Sequence, residues 1–600
     1  MNTRYTSIKL NKGQYLNEVE PFKSTGIPTN HIIHKTITGC GITTLEIQHT
    51  KRHSIIILPN VPVIQGKVAK HNTDDNKKHH ILGVYKGIEV EHIERYLKSD
   101  NVFKKILTTP EGFVKKVVKA FQDNSDILLK DYFLLFDECE RIITDVSYRG
   151  KIAAPIKDFF RFHNKAMVSA TTLPFSDSRF DDFQHIIIEP TYDYSKKIKV
   201  IDTNNVLQSF NRHIETIKSD HVVIFFNSTD GIFSLIDRLG IKDDSYVFCG
   251  QDSVQSLRTK GFRNASHLMD VDNMKKFTFF TSRFFSAVDI EVPYQPDVVL
   301  LTDVYFAEHS ILDPMTEVIQ IAGRYRNGIS SLTHISNTDA KLSSKSEQES
   351  KYYLEGCFDT YNGFAESLRR ADHPGSKDML KAAIESSPVH GFFDDGQLNT
   401  FMVDNFFSEE RVKGYYQSPV NLKEVYQKLR SHFDPTFKSE LYTLGDYDRL
   451  KRGNNISKKD HYKEIAKQID RLTPKPGQYI FEAEGERDYL RSKYPVIYKG
   501  YHLIGLEGLD ATGYVNGAIE SAIREVERIA HRKEIASKVY KVIDSNCTCS
   551  EAELVSRLEQ IYKLNGVKEE AKAAHIKRYF HGRRSTSNGE HVYILTDKLF

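Results

Sequence analysis

The sequence predicts an α/β protein: two successive parallel-sheet units, then a mostly helical region and a small C-terminal module. Three observations predict it. Short runs rich in β-branched and aromatic residues alternate with amphipathic helical stretches from about residue 30 to 340. The runs are continuously apolar, as expected of strands covered on both faces by helices. The pattern breaks once, at EPTYDYSKK (189–197), and then begins again. Six hundred residues are also too many for one core. The expected domains are 1–195, 196–340, 341–530 and 531–600.

In the first unit the strand candidates are HIIHKTI (31–37), SIIILPN (54–60), HHILGVY (79–85), KKILTTP (104–110), DYFLLFDE (131–138) and KAMVSAT (165–171). Helical stretches such as GFVKKVVKAFQD (112–123) separate them. The second unit offers KIKVID (197–202), HVVIFF (221–226), SYVFCG (245–250), KKFTFFT (275–281) and DVVLLTD (297–303), with DGIFSLIDRLG (230–240) as an intervening helix. After LSSKSEQESK (342–351) helical patterning dominates, except for a β patch expected at QYIFEAEGE (478–486) and YPVIYKGYHLIG (494–505). In the last segment, helices are expected over 531–544, 550–564 and 567–580, followed by a hairpin turning at Asn588-Gly589.

Composition narrows the class. The net charge is only +3, so any surface for a polyanion must be local. No apolar run approaches a membrane span, and the N-terminal stretch has no apolar signal-peptide core. The six cysteines lack CxxC spacing and are read as reduced thiols of a cytoplasmic protein, with CTC (547–549) a weak metal candidate.

The chemistry concentrates at strand ends. HKTITGCGITTLEI (34–47) reads as strand, glycine-rich turn and helix start, an arrangement that cradles phosphate with backbone N–H groups. Gly39, Cys40 and Gly41 form the turn, flanked by Thr38 and Thr44, and Thr43 stands where a hydroxyl would bind Mg²⁺. The lysine of such loops is replaced by Ile42. Asp137 and Glu138 sit at the tip of an apolar strand, where one carboxylate can hold Mg²⁺ and the other orient water. Ser169, Ala170 and Thr171 end another strand. Thr281 and Asp289 follow a strand in the second unit, and EVIQIAGRYRNG carries Gln320, Gly323, Arg324 and Arg326, with arginines able to reach into a cleft.

The order of these motifs resembles that of superfamily 2 helicases of the DEAD/DEAH-like type over about residues 25–340. TGCGITT resembles motif I, Asp137-Glu138 motif II and SAT motif III; Thr281 with Asp289 resembles motif V, and QIAGRYR motif VI with its second arginine one position short. The resemblance implies two RecA-like domains with ATP and Mg²⁺ between them. It also implies looser counterparts of strand-contacting motifs at LPNVPVIQGK, TTPEG and FFNSTDG, hence Asn60, Lys67, Thr109 and Asn227, together with Thr281 of the motif V match, as nucleic-acid contacts. Ile42 leaves three readings: Lys35, just before the loop, substitutes for the missing cation; nucleotide binds but is hydrolysed poorly; or the site is empty. Lys35 read blandly is a solvated lysine beside His34. Whether Arg324 or Arg326 acts across the cleft stays open.

The segment KAAHIKRYFHGRR (572–584) is basic and contains no acid. With the helices before it and the hairpin after it, it resembles a winged helix, with Lys577, Arg578, Arg583 and Arg584 as phosphate contacts. The expected function is an ATP-dependent nucleic-acid helicase or translocase, acting on DNA rather than RNA, in replication or mobile-element biology, with a protein partner for the helical region. The alternative is a helicase-shaped DNA-binding or scaffold protein that does not hydrolyse nucleotide.

Overall fold

The computed structural model describes residues 4–600 except 122–124, 286–289, 395, 444, 447–457, 475–483 and 588. It divides into two compact units, Met1–Tyr442 and Thr443–Phe600. Among the described residues, no helix is long and apolar enough to cross a membrane.

The larger unit holds two lobes. The first sheet contains β1 (Tyr5–Leu10), β2 (His31–His34), β3 (His53–Ile57), β4 (Leu82–Val84), β5 (Lys105–Thr108), β6 (Tyr132–Asp137), β7 (Asn164–Ser169) and β8 (Gln184–Pro190). Their order is β1-β8-β2-β7-β6-β3-β5-β4, and every pairing is parallel. All six residues of β6 are buried, as its unbroken apolar run requires. The six strands expected here form; β1 and β8 were not expected. The sheet sets β7 between β2 and β6, so the glycine loop, Ser169 and Asp137 emerge from adjacent strand ends.

The second sheet contains β9 (Lys196–Thr203), β10 (Val222–Phe225), β11 (Ser245–Phe248), β12 (Ala265–Ser266), β13 (Phe277–Phe280), β14 (Asp297–Thr302) and β15 (Ser331–Ser336). After the two-stranded pair β16 (Phe393–Asp394) and β17 (Gln397–Leu398), the chain returns to this sheet with β18 (Phe433–Glu440). The order is β12-β11-β13-β10-β14-β15-β9-β18, again all parallel.

The boundary expected at residue 340 is therefore moved. β18 pairs with β9 over eight residues, from Phe433 opposite Lys196 to Glu440 opposite Thr203. Its sequence, FDPTFKSE, carries no apolar run because β18 is an edge strand with mostly exposed side chains. Between β15 and β18 the helices Glu347–Arg370, Pro374–Glu385, Thr400–Tyr415 and Pro419–Lys428 form an excursion. Its third helix packs on the helix Arg141–Thr144 of the first lobe, and Arg411 pairs with Asp313 at 3.0 Å.

The smaller unit contains the helices Lys458–Leu472, Glu484–Lys493, Pro495–Ala511, Asn516–Val542 and Glu551–Leu564. It ends in a three-stranded antiparallel sheet of β19 (Thr548–Ser550), β20 (Phe580–Ser587) and β21 (Glu590–Lys598), in the order β19-β21-β20. YPVIYKGYHLIG is helical rather than β: Pro495 is at a helix start, where proline is favoured, and Ile497, Gly500 and Leu509 face inward. Most of QYIFEAEGE lies outside the described residues, and Glu484 opens a helix. The boundary expected at 531 falls inside the helix Asn516–Val542. The helix expected over 567–580 is reduced to a 3₁₀ segment, Ala573–Arg578. At the hairpin turn, Asn588 lies outside the described residues, and Gly589 has φ +82°.

Because β18 completes the second lobe, a fragment ending after Tyr442 should be soluble and melt cooperatively. One ending at residue 340 should aggregate through its bare β9 edge, as size-exclusion chromatography and thermal melts would show.

Candidate active site

The glycine loop leaves β2 and turns into the helix Ile42–Gln48. Gly39 and Gly41 have φ of +80° and +88°, which other residues adopt only with strain. A Cβ at Gly39 would also collide with the Arg326 guanidinium from the second lobe. Ile42 is 2% exposed and belongs to the apolar core that reaches across both lobes. The position that usually supplies a cation is thus a packing residue.

A buried cation stands at the end of β2 itself, just before the loop. Lys35 is 6% exposed, so it is not a solvated lysine. Its Nζ donates to Asp137 Oδ1 at 3.1 Å and to Glu138 Oε1 at 3.2 Å. Burial alone would lower its pKa, but Asp137 and then Glu138 outweigh burial and raise it. The Thr43 hydroxyl donates to Asp137 Oδ2 at 2.6 Å. Burial would raise the Asp137 pKa; the Lys35 charge, the Thr43 hydroxyl and the Lys67 charge overcome it and hold the carboxyl low. Glu138 has φ +53°, a conformation that costs a non-glycine residue about 1–3 kcal/mol and is found at functional sites.

The second lobe reaches one of these carboxylates, that of Glu138. Gln320 Nε2 donates to Glu138 Oε2 at 3.0 Å and to Thr171 Oγ1 at 3.2 Å. Arg324 is 2% exposed; its Nε donates to the Gln320 carbonyl at 2.8 Å, and its Nη2 to Gln320 Oε1. Thr38 Oγ1 donates to the Gly323 carbonyl at 3.2 Å, and there is no room for a Cβ on Gly323 beneath it. Between the lobes lies a cleft of about 500 Å³, lined by the glycine loop, Lys35, Asp137, Glu138, Arg324 and Arg326. That volume is in the range of small-ligand sites. The glycines leave bare backbone at its floor, and the paired carboxylates with Thr43 are oxygen donors of the kind Mg²⁺ takes, so a magnesium nucleotide fits the residues present.

The remaining expected residues separate into groups. Thr44 lines the cleft, and Cys40 is buried beside it, its thiol pushed up to about 11 by burial. Asp289 lies outside the described residues. Asn60 precedes the helix Val61–His71 at the C-terminal end of β3, and Thr109 follows β5, its hydroxyl accepting from Gly112 N at 3.1 Å. In the second lobe Asn227 follows β10 and Thr281 follows β13; Asn227 Oδ1 accepts from Ser282 N at 3.2 Å. These four residues lie at C-terminal strand ends, the edge at which parallel sheets bind ligands. Lys67, expected beside them, lines the cleft instead. In the smaller unit, Arg578 forms a two-pronged pair with Glu569 at 2.5 and 2.9 Å, and Arg584 pairs with Glu551 at 2.6 Å; Lys577 and Arg583 are exposed. The acids lie outside the basic segment, which is why the sequence did not show them.

Sequence reasoning missed Glu140 and Tyr15. Tyr15 packs against Gly41 and lines the cleft, but it stands in an N-terminal stretch with no recognisable pattern. Glu140 is 2% exposed, and Gln320 Nε2 lies 3.5 Å from its Oε1. Burial, then the Glu138 carboxylate, pushes its pKa up to about 8.

No family model matches this sequence, and no curated protein does. Similar solved structures include S. cerevisiae Dbp5 bound to RNA and ADP BeF3, at 14% identity over 53% of this chain and 81% of that one, with a TM-score of 0.34. A DEAD box protein from Methanococcus jannaschii is 13% identical over 62% of this chain and 91% of that one, TM-score 0.31. The yeast DEAD-box splicing factor Prp28 is 13% identical over 64% and 81%, TM-score 0.23. At such scores the fold class rests on the two sheets themselves.

Glu140 keeps its proton in the fold to a higher pH than in the unfolded chain. Its contribution to stability is therefore complete below about 4.5 and is lost as pH rises through about 8. Glu140→Gln should melt like the wild type at pH 5 and at a higher temperature than the wild type at pH 8.5; a pH series of thermal melts checks this.

Proposed function

We propose that the larger unit is a nucleic-acid-dependent ATPase of the helicase kind, with ATP and Mg²⁺ in the cleft and a single strand along the strand ends of both lobes. The observation that carries this reading is the position of Lys35, whose Nζ spans Asp137 and Glu138 at 3.1 and 3.2 Å. A cation held there supplies what Ile42 does not. Thr43 and Asp137 would hold Mg²⁺, which would neutralise phosphate charge. Glu138, its carboxylate steadied by Lys35 on one oxygen and Gln320 on the other, would orient an attacking water. Arg324 is committed to Gln320 and acts as a positioning residue, while Arg326 lies against Gly39 and is the arginine that acts across the cleft.

Asn60 and Thr109 in one lobe, with Asn227 and Thr281 in the other, support a strand crossing both. The expectation of DNA over RNA rested on the C-terminal basic segment, where Arg578 and Arg584 are held by Glu569 and Glu551. The reading is therefore of single-stranded nucleic acid, and the assay uses both polymers. Ile42, buried in the core, favours one rival: a helicase-shaped binding protein without turnover.

Steady-state ATPase assays with and without single-stranded DNA or RNA separate the two. Stimulated turnover is expected. Glu138→Gln should lower kcat about 10²- to 10⁴-fold. Arg326→Ala should lower it at least about 10³-fold with nucleotide binding largely kept. Nucleic-acid binding with no hydrolysis at all would establish the rival. Lys35→Ala should weaken ATP binding about tenfold or more, and should also lower the melting temperature, because it leaves two buried carboxylates uncompensated. Unchanged nucleotide affinity in that variant would remove Lys35 from the site.

A further inference from the structure

Lys35 is engaged by two carboxylates, so a triphosphate in the cleft has one of its nearest cations already shared. The helix Val61–His71 supplies another. It starts after Asn60 and runs beside the cleft, and Lys67, two turns in, lines the same cavity as Gly39, Gly41, Thr43 and Asp137. Its charge is felt at Asp137, the carboxylate that Lys35 and Thr43 also hold. One turn further, Lys70 lines the rim and lies 3.8 Å from Glu291 of the second lobe. Among the described residues lining the cavity, five are cationic and three are carboxylates, an excess suited to a polyanion.

We infer that Lys67 is a phosphate-binding residue of the nucleotide site, sharing with Lys35 the part that residue 42 of the glycine loop cannot play; the inference rests on the nucleotide reading above. The placement joins two ligands on one rigid element. Asn60, at the start of the helix, stands at the strand-end edge assigned to the nucleic-acid strand, and Lys67 follows about 10 Å along the axis. A strand that shifts the start of this helix shifts a cation at the phosphates.

The test measures binding of a magnesium-complexed, non-hydrolysable ATP analogue to the full chain by calorimetry, without nucleic acid. Binding of single-stranded RNA and DNA without nucleotide is measured in parallel. Lys67→Ala and Lys67→Met, the latter keeping most of the aliphatic stem, should bind the analogue about ten- to a hundredfold more weakly. Lys67→Arg should stay within a few-fold of the wild type. Affinity for both polymers should be unchanged, as should the melting temperature, since Lys67 is partly exposed. Variants that bind the analogue like the wild type but lose affinity for RNA or DNA would overturn the inference and return Lys67 to the strand path. A wild-type chain that binds no analogue would overturn the nucleotide reading itself, and this inference with it.

Discussion

The arrangement depends on a buried ion triad. Lys35, Asp137 and Glu138 are each less than 10% exposed, at the seam between two lobes. Taking such charges out of water is expensive, and the loss is offset only when the geometry is good and the remaining lone pairs are satisfied. Here Thr43, the Glu138 backbone N–H and Gln320 take up the other carboxylate positions. The last of these comes from the opposite lobe, so satisfying the triad and closing the cleft are one event. Glu138, at φ +53°, is held from both sides.

The interlobe contacts continue outward from that point. Gln320 also touches Thr171 at the end of β7, and Arg324 holds Gln320 in turn. Thr38 and Gly323 press together closely enough to exclude a side chain from the glycine. Glu140 lies behind this contact as a third acid, with one carboxylate oxygen buried and lacking a hydrogen-bond partner. The result is a seam of polar groups whose pairing changes with any rotation of one lobe against the other.

Much of this was legible in the sequence, for a physical reason. Strands buried on both faces must be apolar throughout, so β2, β3, β5, β6 and β14 announce themselves, and a polar residue at the end of such a run stands out. Asp137 was found that way, whereas Gln320 and the arginines stood out only through the spacing of QIAGRYR. Elements that face water on one side send no such signal. β18 reads FDPTFKSE, and only its pairing with β9 makes it a strand. YPVIYKGYHLIG failed in the other direction: its β-capable residues are spaced to bury one helical face, and tertiary packing decided. Lys67 was placed by motif analogy, and only the course of its helix shows that it lines the cleft. The ion pairs of Arg578 and Arg584 depend on acids at positions 569 and 551, which a window over the basic segment alone does not contain.

The return of the chain to β9 also bears on how the protein is made. Ser439 meets Asp202 across 237 residues of sequence, so the last edge of the second sheet waits for everything between to be synthesised. Contacts of such separation form slowly, because the loop entropy is lost before the pairing repays it. During translation β9 is an open parallel edge for as long as the ribosome takes to pass the helical excursion. A nascent chain in that interval is the form most exposed to chaperones and to its own copies.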